Sequence, residues 1–217
     1  MRRSNFEDQP VDYAAVGATQ AHDLMQYPPR GFTPVEASIR LGSGADRFES
    51  AAASLLSWDV QRGAGIHVVD VKADSGQRYG GIRYAEDGTA LEPIAVSTEQ
   101  RFAADGTPYI ASGTTARLRG RTGSFRIDER VRIVYVIEEA TVVAFAYGTV
   151  GAHRVSGEES FRVVRRDDDS VWFEVRSFTR PVSLAYRLFP PLVKIRRKAF
   201  TTAYLRALSP LWSTPTA

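Results

Sequence analysis

Four apolar runs dominate the second half of the chain, at residues 130–138, 142–150, 158–165 and 171–178. They are rich in Val, Ile, Phe and Tyr, residues that suit a pleated, half-buried surface. Glu138-Glu139-Ala140 separates the first two runs and Asp167-Asp168-Asp169-Ser170 the last two, both short enough for hairpins. This spacing predicts an antiparallel meander, with no long helical pattern between the runs as a parallel α/β sheet requires. Earlier strands are expected at 35–41 and 66–71. Weaker ones are expected at 114–119 and 124–127, joined by Gly120-Arg121-Thr122-Gly123. Residues 76–113 carry turn signals, Glu86-Asp87-Gly88 and Asp105-Gly106, around short alternating runs.

Two stretches switch to the helical period. After a Gly42-Ser43-Gly44 turn, Phe48, Ala51, Ala52, Leu55 and Trp58 recur at helical spacing, with Ser43 placed to cap the helix and Asp46 three residues on. Gly42-x-Gly44 also begins a dinucleotide-binding fingerprint, but Arg47 stands where the third glycine belongs, so that reading is rejected. Beyond Pro181 the pattern is helical again and breaks at Pro190-Pro191; Pro191 suits the first turn of a final helix ending near Leu208. At about 100° per residue, Leu192, Val193, Ile195, Ala199, Phe200, Ala203, Tyr204 and Ala207 share one arc, with Lys194 and Lys198 opposite. Arg196 and Arg206 fall inside or at the edge of that arc. Each must find an acidic partner or a solvated cavity, or lay its stem on the sheet with its head at the rim. Residues 1–34, with Pro28, Pro29 and Pro34 framing Gly31, read as an irregular lead-in, and residues 35–217 as a single domain. This element order is that of an α+β helix-grip fold, a curved antiparallel sheet wrapped around a long C-terminal helix with a cavity between them.

A chain of 217 residues buries roughly 70% of its unfolded surface and needs no staple. With 43% hydrophobic and 24% charged residues it is not a disordered chain. The absence of cysteine removes disulfides, thiolate metal sites and a cysteine nucleophile, and His22, His67 and His153 are too scattered for a His-rich metal site. No metal and no cofactor is expected. The formal charge of +3 is unevenly spread: up to Glu174 the chain holds 20 basic and 25 acidic residues, and after it eight basic residues and no acid. That basic tail reads as a solvated helix face or as a patch for anionic lipid, nucleic acid or an acidic ligand. No RNP-type aromatic pattern accompanies it, so nucleic acid is not expected. Gly-x-Ser-x-Gly is absent, and Asp167-Asp168-Asp169 lacks the rest of a calcium loop and reads as a turn. Trp58 and Trp172 read as core and Trp212 as tail. No apolar run approaches the ~18 residues of a membrane span, and the start, Met-Arg-Arg-Ser-Asn-Phe-Glu-Asp, is not a signal peptide, so a soluble, cytoplasmic protein is expected.

Several blocks together carry a resemblance: Tyr13 with Gly17-Ala18-Thr19, the Leu41-Gly42-Ser43-Gly44-Ala45-Asp46-Arg47-Phe48 turn, and Trp58. To these add Ala146-Tyr147-Gly148-Thr149, His153, Gly157-Glu158-Glu159, Phe161 and Phe178-Thr179-Arg180-Pro181. The chain resembles domain-of-unknown-function family nineteen-ninety, bacterial and plant proteins similar to the START and Bet v 1-like helix-grip superfamily. The resemblance implies a fold and no reaction. Residues 76–113 look like an insertion against the family's pattern.

Adjacent Glu158 and Glu159 open a strand, so their side chains point to opposite faces and one faces the helix-covered side. If Ala144, Ala146 and Gly148 face that side, Glu159 joins them there with Phe161 and Val163. A carboxylate in such a pocket has its pKa raised by desolvation unless Arg180 or Arg196 compensates. Gly148 and Gly157 are expected to flank a loop carrying His153 back over the sheet edge, and Tyr147 and Thr149 to offer hydroxyls. The alternative for these residues is an ion pair closing the barrel end, with a loop histidine satisfied by backbone.

Three functions follow. The first is a binding module for a hydrophobic or amphipathic small molecule between sheet and last helix, with Tyr147, Thr149, His153, Glu158, Glu159, Arg180 and Arg196 as candidate ligand-binding residues. The second is an enzyme of hydrolase or cyclase type using Glu158 or Glu159 with His153; no catalytic set is recognisable, so the reading leans away from it. The third is a basic C-terminal helix docking on an anionic membrane surface or an acidic partner. The sequence shows no seam that would fix an oligomeric state.

Overall fold

The computed structural model describes residues 11–73, 102, 106 and 108–209. Most of the 76–113 stretch, the first ten residues and Trp212 lie outside the described residues.

Seven strands form one antiparallel sheet in the order β1-β7-β6-β5-β4-β3-β2. They are β1 (Thr33–Ser43), β2 (Ile66–Lys72), β3 (Thr115–Thr122), β4 (Phe125–Glu138), β5 (Val142–Val150), β6 (Val155–Arg165) and β7 (Ser170–Pro181). The meander occupies the middle of the sheet, and β1 closes on β7 with Thr33 opposite Thr179. Because β1 and β2 lie at opposite edges, the chain between them must cross a face, and it does so as α1 (Ala45–Leu56) and α2 (Asp59–Gly63). Helices α3 (Leu184–Leu188) and α4 (Pro190–Ala207) return across the same face, so the sheet wraps around the C-terminal helix in a helix-grip arrangement.

The weak strands meant for 114–119 and 124–127 are longer. Gly120 lies inside β3, opposite Ile127, and residues 125–138 form one unbroken strand with only a tight turn before it. Gly44, not Ser43, precedes α1, and no side chain caps that helix. Its apolar face is the one its periodicity foretells: Phe48, Ala51, Ala52 and Leu55 are buried, and Trp58 follows them into the core. Trp172, in contrast, is only half-buried, with the Arg166 guanidinium over its ring.

On the helix-covered face, Phe145, Tyr147, Phe161, Phe173 and Tyr204 stack or meet edge to face with centroids 5.0 to 6.5 Å apart. Such contacts add about 0.5–1.5 kcal/mol each beyond area burial. Inner strands β5 and β6 are buried on both faces, because residues 11–32 lie across the opposite side of the sheet. There Tyr13, Leu24, Phe32 and Phe178 form a second, smaller core. Among the described residues no helix is long and apolar enough to cross a membrane.

Helix α4 departs from its helical wheel. Val193, Phe200 and Tyr204 are buried as expected, but Leu192 and Ile195 point to solvent, and Arg196 takes a core position. Arg206 is exposed, as are Lys194 and Lys198. The C-terminal half of α4 packs on α2, where Gly63 meets Ala207, and its N-terminal half presents only one narrow stripe inward.

Candidate functional site

Period-two alternation sends Glu158 and Glu159 to opposite faces of β6, and each finds a different surrounding. The face shared with Glu159, Phe161 and Val163 is lined on β5 by Phe145 and Tyr147. Ala144, Ala146 and Gly148 face the other way, a correction to the expected register of faces that leaves the placement of Glu159 unchanged.

Glu158 is 1% exposed and held by the N-terminal segment. Its Oε2 accepts from the Tyr13 hydroxyl at 2.7 Å and from the Gly17 N–H at 2.7 Å. Its Oε1 accepts from the Thr19 N–H at 3.0 Å and the Thr19 hydroxyl at 2.5 Å. Burial, and then the Glu158 charge, hold the Tyr13 phenol far above its ordinary range, so Tyr13 stays a donor. Gly148 makes the approach possible: a Cβ there would collide with the Tyr13 ring and hydroxyl. A second clasp lies beside the first. Asp12 accepts from the hydroxyls of Thr149 (2.7 Å) and Ser156 (2.6 Å) and from the Ala152 N–H (2.7 Å). Arg176 donates to the carbonyls of Thr19 and Ala21. Glu158 and Thr149 are thus fastened to the N-terminal segment.

Glu159 lies beneath α4. The Tyr147 hydroxyl donates to its Oε2 at 2.6 Å and meets the Tyr204 hydroxyl at 3.2 Å. Nearby Arg196, 9% exposed, donates from Nη2 to Glu129 Oε1 at 3.0 Å, so the arginine on the apolar arc does find an acidic partner. These groups border a void of about 60 Å³ together with Arg197, Ser177, Thr179 and Phe200. A void of that size holds water-sized occupants, well below the roughly 300–1,000 Å³ of small-molecule pockets. Burial raises the Glu159 pKa above the usual carboxylate value, against the opposing Tyr147 hydrogen bond and the Arg196 charge. Desolvation likewise raises Glu129, opposed by Arg196. Arg197 is pushed down, again by burial, with Glu159 acting in the other direction.

A carboxyl whose pKa is higher folded than unfolded binds protons more tightly in the native state. Its contribution to stability is therefore largest below the ordinary value of 4.5 and declines as pH rises through the raised one. Glu159→Gln is expected to flatten the fall in unfolding free energy as pH rises above the ordinary value of 4.5, leaving the Glu129 part in place. Urea unfolding at a series of pH values checks this, and a slope identical to wild type contradicts it.

A larger space lies on the other flank of α4. A groove of about 740 Å³ runs between α3 and α4 on one side and the β1 edge with Pro181 on the other. Pro34, Val35, Ala37, Val193 and Leu205 give it apolar walls, and Arg187, Lys194, Arg197 and Lys198 are its charged residues. Among the described residues no carboxylate lines it. Arg197 and Val193 border both the groove and the interior void.

The structure brings Tyr147, Glu159 and Arg196 around the void, and Thr149 and Glu158 border it from the strands while their hydrogen bonds engage the N-terminal segment. Arg180 is exposed with its guanidinium over the Phe32 ring at 4.9 Å. His153 sits exposed on the turn between β5 and β6; Gly148 and Gly157 lie within those strands rather than in the loop. The hydrogen bonds of both glutamates go to tyrosine, threonine and backbone donors, none to His153, so the acid/base pairing of the enzyme reading is not assembled. Sequence reasoning missed Glu129, Tyr204 and Arg197. Glu129 is an acid at an inward position of β4, between Ile127 and Val131, and that position was the available signal. No cluster of three or more potential metal ligands occurs among the described residues.

Comparison with known proteins bears on the family. A UPF0548 protein of Deinococcus radiodurans is 34% identical over 77 residues, a match covering 36% of this chain and 39% of that protein. The chain thus spans well under half the length of that relative. A hypothetical protein of Helicobacter pylori aligns over 98% of this chain and 99% of its own at TM-score 0.49 and 11% identity. A START superfamily protein of Mycobacterium smegmatis aligns over 81% and 95% at TM-score 0.42 and 13% identity. One family match covers residues 12–85 and 94–207, taking in the Tyr13–Thr19 segment, the Glu158-Glu159 strand and α4, and the chain belongs to that family, the Domain of unknown function (DUF1990).

Proposed function

We propose that this chain binds an amphipathic small molecule with an anionic head in the groove between α4 and the β1 edge. One observation carries the reading: a groove of ligand size with apolar walls and, among the described residues, four cations and no carboxylate. An apolar tail lies along Val35, Ala37 and Leu205, and the head reaches Lys194 and Lys198. Arg197 borders both the groove and the void beneath α4, and the Glu159 charge acts on it. The site thus differs from the expected cavity between sheet and helix, where the void is only about 60 Å³.

A dansylated long-chain fatty acid and its methyl ester are the probes. The acid is expected to saturate with at least about tenfold higher affinity than the ester, since a charge-assisted contact contributes roughly 1.5–3 kcal/mol. Thr202→Trp, which fills the groove from a half-buried α4 position, is expected to abolish binding with the fold intact by circular dichroism. Equal affinity for acid and ester, or undiminished binding by Thr202→Trp, contradicts the reading.

A further inference from the structure

We propose that the corner formed by α3 and the start of α4 docks on an anionic lipid bilayer. Leu184, Leu188, Phe189 and Ile195 are 58% to 73% exposed, and Leu192 is exposed beside them. Five large apolar side chains at one corner are an unusual surface for a monomer in water. They do not share the groove: on α4, Leu192 and Ile195 lie on the flank away from Val193, Arg197 and Thr201. Pro190 and Pro191 stiffen the junction at the first turn of α4, so Phe189 and Leu192 are displayed on a fixed corner.

Charge names the partner. Arg187 lies within the ridge, and Lys194 and Lys198 run along its groove side, about 100° and 60° around the helix from Ile195 respectively. No acidic residue occurs after Glu174. An apolar ridge with Arg187, Lys194 and Lys198 within and beside it fits an interface with acidic headgroups, where side chains such as Leu and Phe enter the acyl boundary and lysines stay at the phosphates. A second copy of the chain fits poorly. A two-fold contact through this corner sets its own lysines and arginines against one another. In the bilayer-bound arrangement the groove's basic wall stands next to the headgroup layer.

Co-sedimentation of the full chain with phosphatidylcholine vesicles, with and without phosphatidylglycerol, tests the proposal at low and high salt. The protein is expected to sediment with the phosphatidylglycerol vesicles, to remain in the supernatant with phosphatidylcholine alone, and to be released by high salt. Lys198→Gln is expected to lower the partition coefficient about fivefold, and Leu188→Glu with Ile195→Glu to eliminate sedimentation at unchanged circular dichroism. These ridge positions lie outside the groove, so fatty-acid binding by the same variant separates a failure here from a failure of the proposed ligand site. Three results overturn the proposal. One is absence of sedimentation with anionic vesicles at low salt, and another is undiminished sedimentation of the double variant. The third is a wild-type dimer in size-exclusion chromatography that the double variant dissolves.

Discussion

Glu158→Ala is expected to lower the unfolding free energy by about 4 kcal/mol, near 10 °C in Tm for a chain of this length. The substitution removes one carboxylate and strands three donors, the Tyr13 hydroxyl and the Gly17 and Thr19 N–H groups, while the Thr19 hydroxyl keeps its contact with the Tyr135 hydroxyl at 2.9 Å. Each was desolvated to reach Glu158, and the site beside it is filled by Tyr13 and Phe178, so water cannot replace the carboxylate without reopening the small core. Glu158→Gln keeps one acceptor oxygen and sets an amide donor against two others, so roughly half the loss is expected. Limited proteolysis supplies an independent readout: cleavage within residues 12–30 is expected to accelerate in Glu158→Ala before the sheet unfolds. Unchanged stability together with an unchanged cleavage rate contradicts the fastening described for the N-terminal segment.

Gly157→Ala is expected to cost at least as much. Gly157 has φ +152, outside the comfortable range of L residues, and a Cβ there would collide with the Phe178 carbonyl oxygen and come within 2.9 Å of the Thr179 Cα. Both obstacles are backbone of the neighbouring strand, so relief requires β6 and β7 to part where Gly157 pairs with Thr179. Parting them there also moves Glu158 and the Thr149 hydroxyl that accepts from the Gly157 N–H. Loss of roughly 4 kcal/mol or more, read as a denaturation midpoint or as failure to accumulate folded protein, is the expected outcome. A variant with wild-type midpoint shows that the two strands are not packed as described.

The meander was legible because residues 130–178 repeat apolar runs at strand length with polar turns between them, and the final helix because Pro191 and the 3.6 period both mark it. Glycines misled where they sit inside elements. Gly120 reads as part of a turn, yet it is a paired position of β3, and only its three-dimensional neighbours, Ile66 on β2 and Ile127 on β4, reveal that. The α4 wheel failed for a related reason. A helical arc says which residues could pack together, while the neighbours decide how much is covered, and near Leu192 and Ile195 no sheet stands opposite.

The glutamate pair was half legible. Period two separates Glu158 from Glu159 with no knowledge of the fold, but the partners of Glu158 lie 139 to 145 positions away, in a segment of turns around one short 3₁₀ helix, Ala18–Gln20, that carries no apolar periodicity to betray it. One sign was present. Residues 142–150, reading Val-Val-Ala-Phe-Ala-Tyr-Gly-Thr-Val, hold no charge and do not alternate, which is how a strand covered on both faces reads. The groove left no comparable sign, because β1, α3 and α4 form it from stretches far apart in sequence.

The ligand groove is tested most directly through its lysines. The chain has three, Lys72, Lys194 and Lys198, and two of them line the groove while Lys72 lies on β2 at the far edge of the sheet. Reductive methylation with a carbon-13 label keeps their charge and gives each lysine its own resonance. On titration with an unlabelled long-chain fatty acid, the Lys194 and Lys198 resonances are expected to shift together and saturate, with Lys72 unmoved. Shifts absent from all three, or equal in all three, contradict binding in the groove between α4 and β1.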